Sequence, residues 1–121
     1  MIPVTFTNGE ESVETTALLD SGADFVALSK DMAEALGLDL RGPRETCITP
    51  LGSGEVVEVK VTIRIAQGHE GYLFTVPSKV LMIDHNGTPP LLGRIGFFDE
   101  FEITFNQQKE KIWLKKIDRT V

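Results

Sequence analysis

The residues best suited to chemistry are a carboxylate, a hydroxyl and a glycine in succession. Asp20, Ser21 and Gly22 interrupt two apolar runs in the segment TALLDSGADFVALS, residues 16–29. A carboxylate that directly follows an apolar strand is a poor choice for packing, but it can accept and return a proton. Gly22 allows a tight turn and the close approach of a second chain. Ordinary turns use the same residue types, so the tripeptide alone leaves both a catalytic loop and a simple Asx turn open.

Other reactive combinations find no support in the sequence. His69, His85 and Cys47 lack the spacing of metal ligands, so we expect no metal site. The chain has no Gly-x-Ser-x-Gly motif of the kind that serine hydrolases use. It also has neither a glycine-rich phosphate loop nor a dinucleotide-binding fingerprint, and we therefore expect no cofactor.

The composition is typical of one soluble globular domain, which we assign to residues 1–121. No apolar run is long enough to cross a bilayer, and the N-terminus does not resemble a signal peptide, so we expect no membrane association. The single cysteine, Cys47, excludes an internal disulfide and fits a reducing compartment, which favours a cytoplasmic protein. The net charge of −6 argues against nonspecific nucleic-acid binding, because that requires a basic surface.

The charge is distributed unevenly along the chain. Residues 1–40 contain eight acidic side chains and one lysine, whereas residues 107–121 contain five basic and two acidic side chains. Two solvated faces would explain this distribution, and so would an attraction between the two segments, within one chain or between chains. Trp113 lies in the basic segment and suits either a core or a contact between chains.

Short runs of Val, Ile, Thr and Phe, separated by Gly, Asn and Pro, predict an all-β domain that must position these residues. The strands are predicted over residues 2–7, 12–19, 25–28, 45–49, 56–66, 72–84, 101–106 and 111–116, with turns over 50–55 and 67–71. Ser29 is predicted to cap one helix, which has Met32, Ala33 and Leu36 on its apolar face and ends at Gly37. A second helical turn is possible over 94–100.

Two motifs carry a family resemblance. ALLDSGADFVAL resembles the active-site segment of the retroviral-type, or retropepsin-like, aspartic proteases, in which an apolar pair precedes Asp-Thr/Ser-Gly-Ala and an acidic residue follows. LLGRIGFFDEF, which begins at Leu91, resembles the second signature of that family, apolar residues followed by Gly and Arg. A candidate hairpin lies between the motifs, as the family order requires, so the resemblance extends roughly from Thr16 to Lys116. The additional helix suggests a cellular, single-domain member.

The resemblance implies a retropepsin-like closed β-barrel or sandwich with one or two short helices. Because the Asp-Ser-Gly motif occurs once, it also implies a symmetric homodimer that brings two Asp20 side chains together. The implied activity is that of an aspartic endopeptidase, which cuts an extended peptide or protein substrate without a metal or cofactor. The implied mechanism is activation of a water molecule by the two carboxylates.

The resemblance also implies individual residue roles. Asp20 would be the catalytic residue, and Ser21, Gly22 and Ala23 would form its loop. Gly93 would join Asp24 and Arg94 in a structural brace. The implied substrate-binding residues are Gly22, Asp24, Phe25, Leu51, Gly52, Ser53 and Gly54, and the last four belong to the glycine-rich tip of a mobile flap.

Three alternatives remain open from the sequence. Asp24 and Arg94 form either a buried brace or a surface pair of little energetic value. The segment 49–55 is either a flap tip or an ordinary hairpin turn. The chain is a protease, or a non-catalytic or weakly active module of the same fold that dimerises or binds peptides, or a β-domain unrelated to proteases.

Overall fold

The computed structural model describes residues 2–20, 22–49, 52–67, 70–82, 89–95, 97, 101–106 and 111–116. Nine strands and one short helix follow one another there in the order β1 (Ile2–Asn8), β2 (Glu11–Leu19), β3 (Val26–Ser29), α1 (Lys30–Ala35), β4 (Arg44–Thr49), β5 (Gly52–Gln67), β6 (Glu70–Leu81), β7 (Leu91–Leu92), β8 (Phe101–Asn106) and β9 (Lys111–Lys116). The predicted all-β class is confirmed. Within these residues no helix has the length and apolar character needed to span a membrane.

Six strands close into a barrel. Its order is β1-β2-β7-β3-β6-β5, and the circle closes where residues 5–7 of β1 pair antiparallel with residues 62–64 of β5. The sixteen-residue length of β5 makes this closure possible. One edge of β5 pairs with β6, whereas the other edge pairs with β4 near its start and with β1 near its end.

The barrel core follows from the alternation of apolar residues along β5. From Val57 onwards every second residue is buried, as the alternating sequence predicts: Val57, Val59, Val61, Ile63 and Ile65; Val56 at the start of this run is buried as well. The alternating residues belong to one continuous apolar cluster with Phe6 of β1 and with Phe97, both of which are completely buried. The cluster fills the barrel, so the loops at its ends are attached to a rigid framework.

The helix α1 forms where the sequence predicts it. The Ser29 hydroxyl accepts a hydrogen bond of 3.2 Å from the backbone N–H of Met32, which is an N-cap contact. Ala33 and Leu36 are buried, and the chain leaves the helix at Gly37, whose φ is +62°. The Asn8 side chain donates to the Leu36 carbonyl at 2.8 Å, which attaches the end of the helix to β1.

Two predicted turns are too long. Thr49 of β4 faces Gly52 of β5, so the turn predicted over 50–55 is shortened and both Ser53 and Gly54 belong to the strand. Similarly, Gln67 faces Glu70, and the turn predicted over 67–71 contracts. Glycine and serine favour turns in isolation, but they can extend a β-ladder when the facing strand offers partners.

The second half of the chain has two further features that bear on the site. The helical turn predicted over 94–100 lies largely outside the described residues; within it, Ile95 forms a parallel bridge to Phe25. The predicted final hairpin is present, because β8 and β9 pair antiparallel from Phe101–Lys116 to Asn106–Lys111. This hairpin is a separate two-stranded sheet.

Candidate active site

The loop between β2 and β3, residues 20–25, passes over the end of β7. Leu18 and Leu19 of β2 pair in parallel with Leu91 and Leu92, while Ala27 of β3 pairs antiparallel with Leu91. The strand β7 therefore lies between the two strands that the loop connects. Both sequence motifs meet at this point, although about seventy residues separate them in the chain.

Four backbone hydrogen bonds join the two motifs. They run from Leu18 N to Pro90 O (2.9 Å), from Asp20 N to Leu92 O (3.1 Å), from Arg94 N to Ala23 O (2.9 Å) and from Ile95 N to Asp24 O (2.8 Å). The loop is thus held on both sides of its turn by one continuous segment of chain. Because backbone groups make these bonds, the position of the loop depends little on its own side chains.

Gly93 allows the two segments to approach this closely. A β-carbon at Gly93 would lie 2.3 Å from the carbonyl oxygen of Phe25 and 2.8 Å from that of Ala23. Both distances are far below van der Waals contact, and the atoms concerned are backbone atoms that cannot rotate away. A residue other than glycine would therefore push the loop away from β7.

The Asp20 carboxylate is held within its own turn. Its Oδ1 accepts a hydrogen bond from the backbone N–H of Gly22 at 2.9 Å, and its backbone carbonyl accepts one from Ala23 at 3.1 Å. The residue is partly exposed to solvent at the end of β2. A carboxylate that is oriented by the backbone and open to solvent can reach water or a ligand. Ser21 lies outside the described residues.

Asp24 and Arg94 form an ion pair across the two motifs, in which the Arg94 Nη2 group donates to Asp24 Oδ1. The side chains are 63% and 61% exposed in the single chain. The structure therefore brings the two brace residues together, but at the surface of the chain and not in a buried fork. Such an exposed pair adds little to the stability of an isolated chain.

Phe25 has charged neighbours that the sequence reasoning missed. The Lys79 ammonium lies 4.8 Å from the centre of the Phe25 ring. The same ammonium is 2.9 Å from a Glu45 carboxylate oxygen and 3.8 Å from one of Glu58. A weak sequence signal existed, because Lys79 is the one charged residue in the mostly apolar run from Tyr72 to Leu81. The partners come from β4 and β5, and single-sequence patterns do not reveal such long-range contacts.

The hairpin of β4 and β5 is the one that the sequence proposes as a flap. It falls between the two motifs, and residues 52–54 are strand residues that pair with Cys47, Ile48 and Thr49. Leu51, the predicted tip residue, lies outside the described residues. A flap and an ordinary hairpin share this strand pairing, so the two are distinguished by whether the hairpin contacts a bound peptide.

Among the described residues, no three His, Cys, Asp or Glu side chains converge to hold a metal ion. His69 and His85 lie outside the described part of the chain. The pKa of Asp39 is lowered by a hydrogen bond from the Arg41 side chain, and the pKa of Arg41 is raised by the same contact. That exposed pair belongs to the connection between α1 and β4.

Comparisons with known proteins agree with this geometry. The sequence model of a family described as "Aspartyl protease" matches residues 2–94. No curated protein sequence matches the chain. Six chains of solved structures match it, among them the "Crystal structure of a retropepsin-like aspartic protease from Rickettsia conorii". That match has a TM-score of 0.60 and 17% sequence identity, and it covers 94% of this chain and 88% of the other. At this identity the likeness shows a shared fold.

Proposed function

The chain belongs to the aspartyl protease family, and on that premise we propose that it is an aspartic endopeptidase whose catalytic centre contains two Asp20 carboxylates, one from each subunit of a homodimer. The substrate class is an extended peptide or an unfolded protein segment. The observation that carries this proposal is the junction of the two motifs, in which the backbone of residues 90–95 fixes the loop that presents Asp20. A loop of this kind keeps a carboxylate in place through repeated turnovers.

The chemistry requires two carboxylates. Two such groups about 3 Å apart share one proton, because like charges at that distance cannot both ionise. The ionised member takes a proton from a water molecule that attacks the scissile carbonyl carbon. The protonated member polarises the carbonyl oxygen, and a proton is then delivered to the leaving amine.

The surface around the loop supports a second subunit. Leu18 and Ile95 flank the loop and are 40% and 45% exposed, so both offer apolar area there to a partner. The Asp24–Arg94 pair on the same loop is also exposed. The β8–β9 hairpin forms its own two-stranded sheet, and such a sheet is marginally stable in water without further strands or a packed face. A partner subunit at the loop would cover the two apolar side chains and the ion pair, and strands from a partner would stabilise the hairpin.

Substrate binding follows from the same arrangement. In the proposed complex, an extended peptide lies between the Asp20 loop and the β4–β5 hairpin and forms main-chain hydrogen bonds, as in strand addition. The glycines at 52 and 54 would let the hairpin bend over the peptide. The single cysteine is the basis for proposing that the reaction takes place in the cytoplasm.

The test is cleavage of an unfolded protein between pH 3 and 7 by wild type and by Asp20→Asn. Asparagine has the same size but cannot exchange the proton, so we expect activity in the wild type and loss of at least about a thousandfold in the variant. Asp39→Asn is the matched control, because the same change is made at an exposed aspartate outside the loop. Full activity is expected there.

Two results would count against the proposal. Equal activity of wild type and Asp20→Asn would mean that another group performs the hydrolysis. No cleavage by a wild-type protein that is dimeric at the assay concentration would favour the alternative, a module that binds peptides or dimerises without cutting. Sedimentation of both proteins establishes whether the dimer is present.

A further inference from the structure

A cluster of charged side chains surrounds the aromatic ring that follows the Asp20 loop. Lys79 of β6 places its ammonium over the Phe25 ring, 4.8 Å from the centroid, and against Glu45 at 2.9 Å. Glu58 of β5 approaches the same ammonium at 3.8 Å. We call Phe25, Lys79, Glu45 and Glu58 the lysine cluster. It connects the loop to both strands of the β4–β5 hairpin.

The strand pairing of Lys79 places the lysine cluster between the Asp20 loop and the β4–β5 hairpin. Phe25 is five residues beyond Asp20 on the loop, and Glu45 lies in β4, four residues before the end of that strand. Ala27 and Glu58 are the strand partners of Lys79 on either side. The cluster therefore occupies the boundary between the loop and the hairpin. In the proposed enzyme this boundary is one wall of the peptide groove.

The solvent exposure of each side chain in the lysine cluster determines which charge a ligand would contact. The Lys79 side chain is 17% exposed, because the ring and the carboxylates cover it. The Glu45 and Glu58 side chains are 56% and 53% exposed. Two carboxylates against one lysine leave a net negative charge, and the nearby Arg44–Glu55 pair is neutral as a whole. Ile95, which is 45% exposed, is bridged through its backbone to Phe25 and adds apolar surface next to that residue.

We propose that the lysine cluster is a charge-selective subsite that prefers a peptide residue with an apolar stem and a cationic end, namely lysine or arginine. The inference rests on the proposed function, because it assumes that a peptide passes along this wall. The stem packs on Phe25 and Ile95, and the cation approaches Glu45 and Glu58. Lys79 is the positioning residue that holds both carboxylates and the ring in place and limits the negative charge of the subsite.

The test uses a series of peptides that differ at one position at a time, with arginine, methionine or glutamate there. Two readouts are compared, kcat/KM for the wild-type dimer and the dissociation constant for the Asp20→Asn dimer, which does not depend on turnover. At one position we expect arginine to be preferred over glutamate by about fivefold, as exposed charge pairs permit. The other positions should show no such preference.

Three variants identify the source of the preference. Lys79→Met removes the compensating cation and is expected to increase the arginine-to-glutamate ratio at that one position. Glu45→Gln combined with Glu58→Gln leaves a net positive cluster and is expected to reverse the ratio. Lys79→Arg should keep the wild-type ratio. The control is Glu10→Gln combined with Glu11→Gln, which changes the total charge equally at the distant β1–β2 connection and should leave the ratio unchanged.

The outcomes separate this inference from the proposed function. A ratio that stays constant across the variants, or peptides that all lose affinity in parallel, would show that the cluster is structural only. Charge-selective binding by Asp20→Asn without cleavage by the wild type would support the subsite and reject the protease. Cleavage by the wild type without any charge preference would support the protease and reject the subsite. Failure to bind or cut any peptide of the series would overturn both.

Discussion

Gly93 is the residue whose substitution should harm the site most directly. A methyl group there would overlap the Phe25 carbonyl, with 2.3 Å between the β-carbon and the oxygen. Overpacking of this kind costs about 1–3 kcal/mol, and we expect Gly93→Ala to fall at or above the upper end because backbone atoms must move. Urea unfolding measures the loss, and the same displacement of the loop should reduce cleavage.

Gly71→Ala is the control for Gly93→Ala. A β-carbon at Gly71 would meet the Ile65 carbonyl at 3.9 Å, an ordinary contact. Removing glycine flexibility from the unfolded chain then makes the change neutral or stabilising by a few tenths of a kcal/mol up to about 1 kcal/mol. Equal destabilisation by the two substitutions would contradict the close approach of Gly93 to the loop.

The Asp24–Arg94 pair allows the choice between brace and surface pair to be measured. Because both side chains are more than half exposed in the single chain, we expect a coupling free energy below about 1 kcal/mol. The experiment is a double-mutant cycle of Asp24→Asn and Arg94→Met, followed by urea unfolding at a concentration where the chain is monomeric. A coupling of several kcal/mol there would indicate a buried brace. A coupling that appears only in the dimer would indicate that the partner covers the pair.

At the scale of single elements, α1 is short enough for its cap to matter. The helix has six residues, and the Ser29 hydroxyl satisfies one of its free N–H groups. We expect Ser29→Ala to destabilise the protein by about 1 kcal/mol and Ser29→Asp to recover most of the loss. Chemical denaturation of the two variants tests this. Equal stability of Ser29→Ala and wild type would mean that water replaces the hydroxyl without cost.

The sequence predicts most elements of this fold because their signals are local. Alternation along β5 identified the buried residues from Val57 to Ile65, and the cap at Ser29 identified the start of α1. The turns over 50–55 and 67–71 were predicted too long, since glycine and polar residues at their edges pair with a facing strand. The division of one edge of β5 between β4 and β1 depends on closure of the barrel, which no local pattern encodes.

The residues of the candidate site that belong to a sequence motif could be predicted, and those that long-range strand pairing brings there could not. Asp20, Asp24 and Arg94 were selected from two short motifs, and the structure brings the motifs together. Lys79 was not selected, because its neighbours Phe25, Glu45 and Glu58 are contributed by other strands. The sequence shows only an aromatic ring at Phe25, whereas the structure adds an ammonium and two carboxylates around it.

For the molecule as a whole, closure of the barrel explains why one loop can be held so firmly. Each barrel strand pairs on both sides, so β2, β7 and β3 cannot separate without opening the circle. The Asp20 loop thus has a rigid base, while the β4–β5 hairpin extends from the part of β5 that lies beyond the closure with β1. This arrangement suits the proposed protease, in which the rigid loop would present Asp20 and the hairpin would cover the peptide.

Assembly of two such barrels should depend on charge. Residues 1–40 carry eight acids and one base, and residues 107–121 carry five bases and two acids. If the acidic segment of one subunit attracts the basic segment of the other, the dimer should weaken as salt rises from 50 to 500 mM, because exposed charges are screened over about a Debye length. Sedimentation equilibrium at both salt concentrations measures the dissociation constant.

A pair of variants connects this salt dependence to the basic segment. Lys115→Gln combined with Lys116→Gln should raise the dissociation constant roughly fivefold at low salt and reduce its dependence on salt. Arg41→Gln combined with Lys60→Gln removes the same charge outside both segments and should leave the dissociation constant near that of the wild type. If both pairs weaken the dimer equally, total charge and not segment pairing governs association. If neither has an effect, the two segments are solvated faces, and apolar contacts such as Leu18 and Ile95 must hold the subunits together.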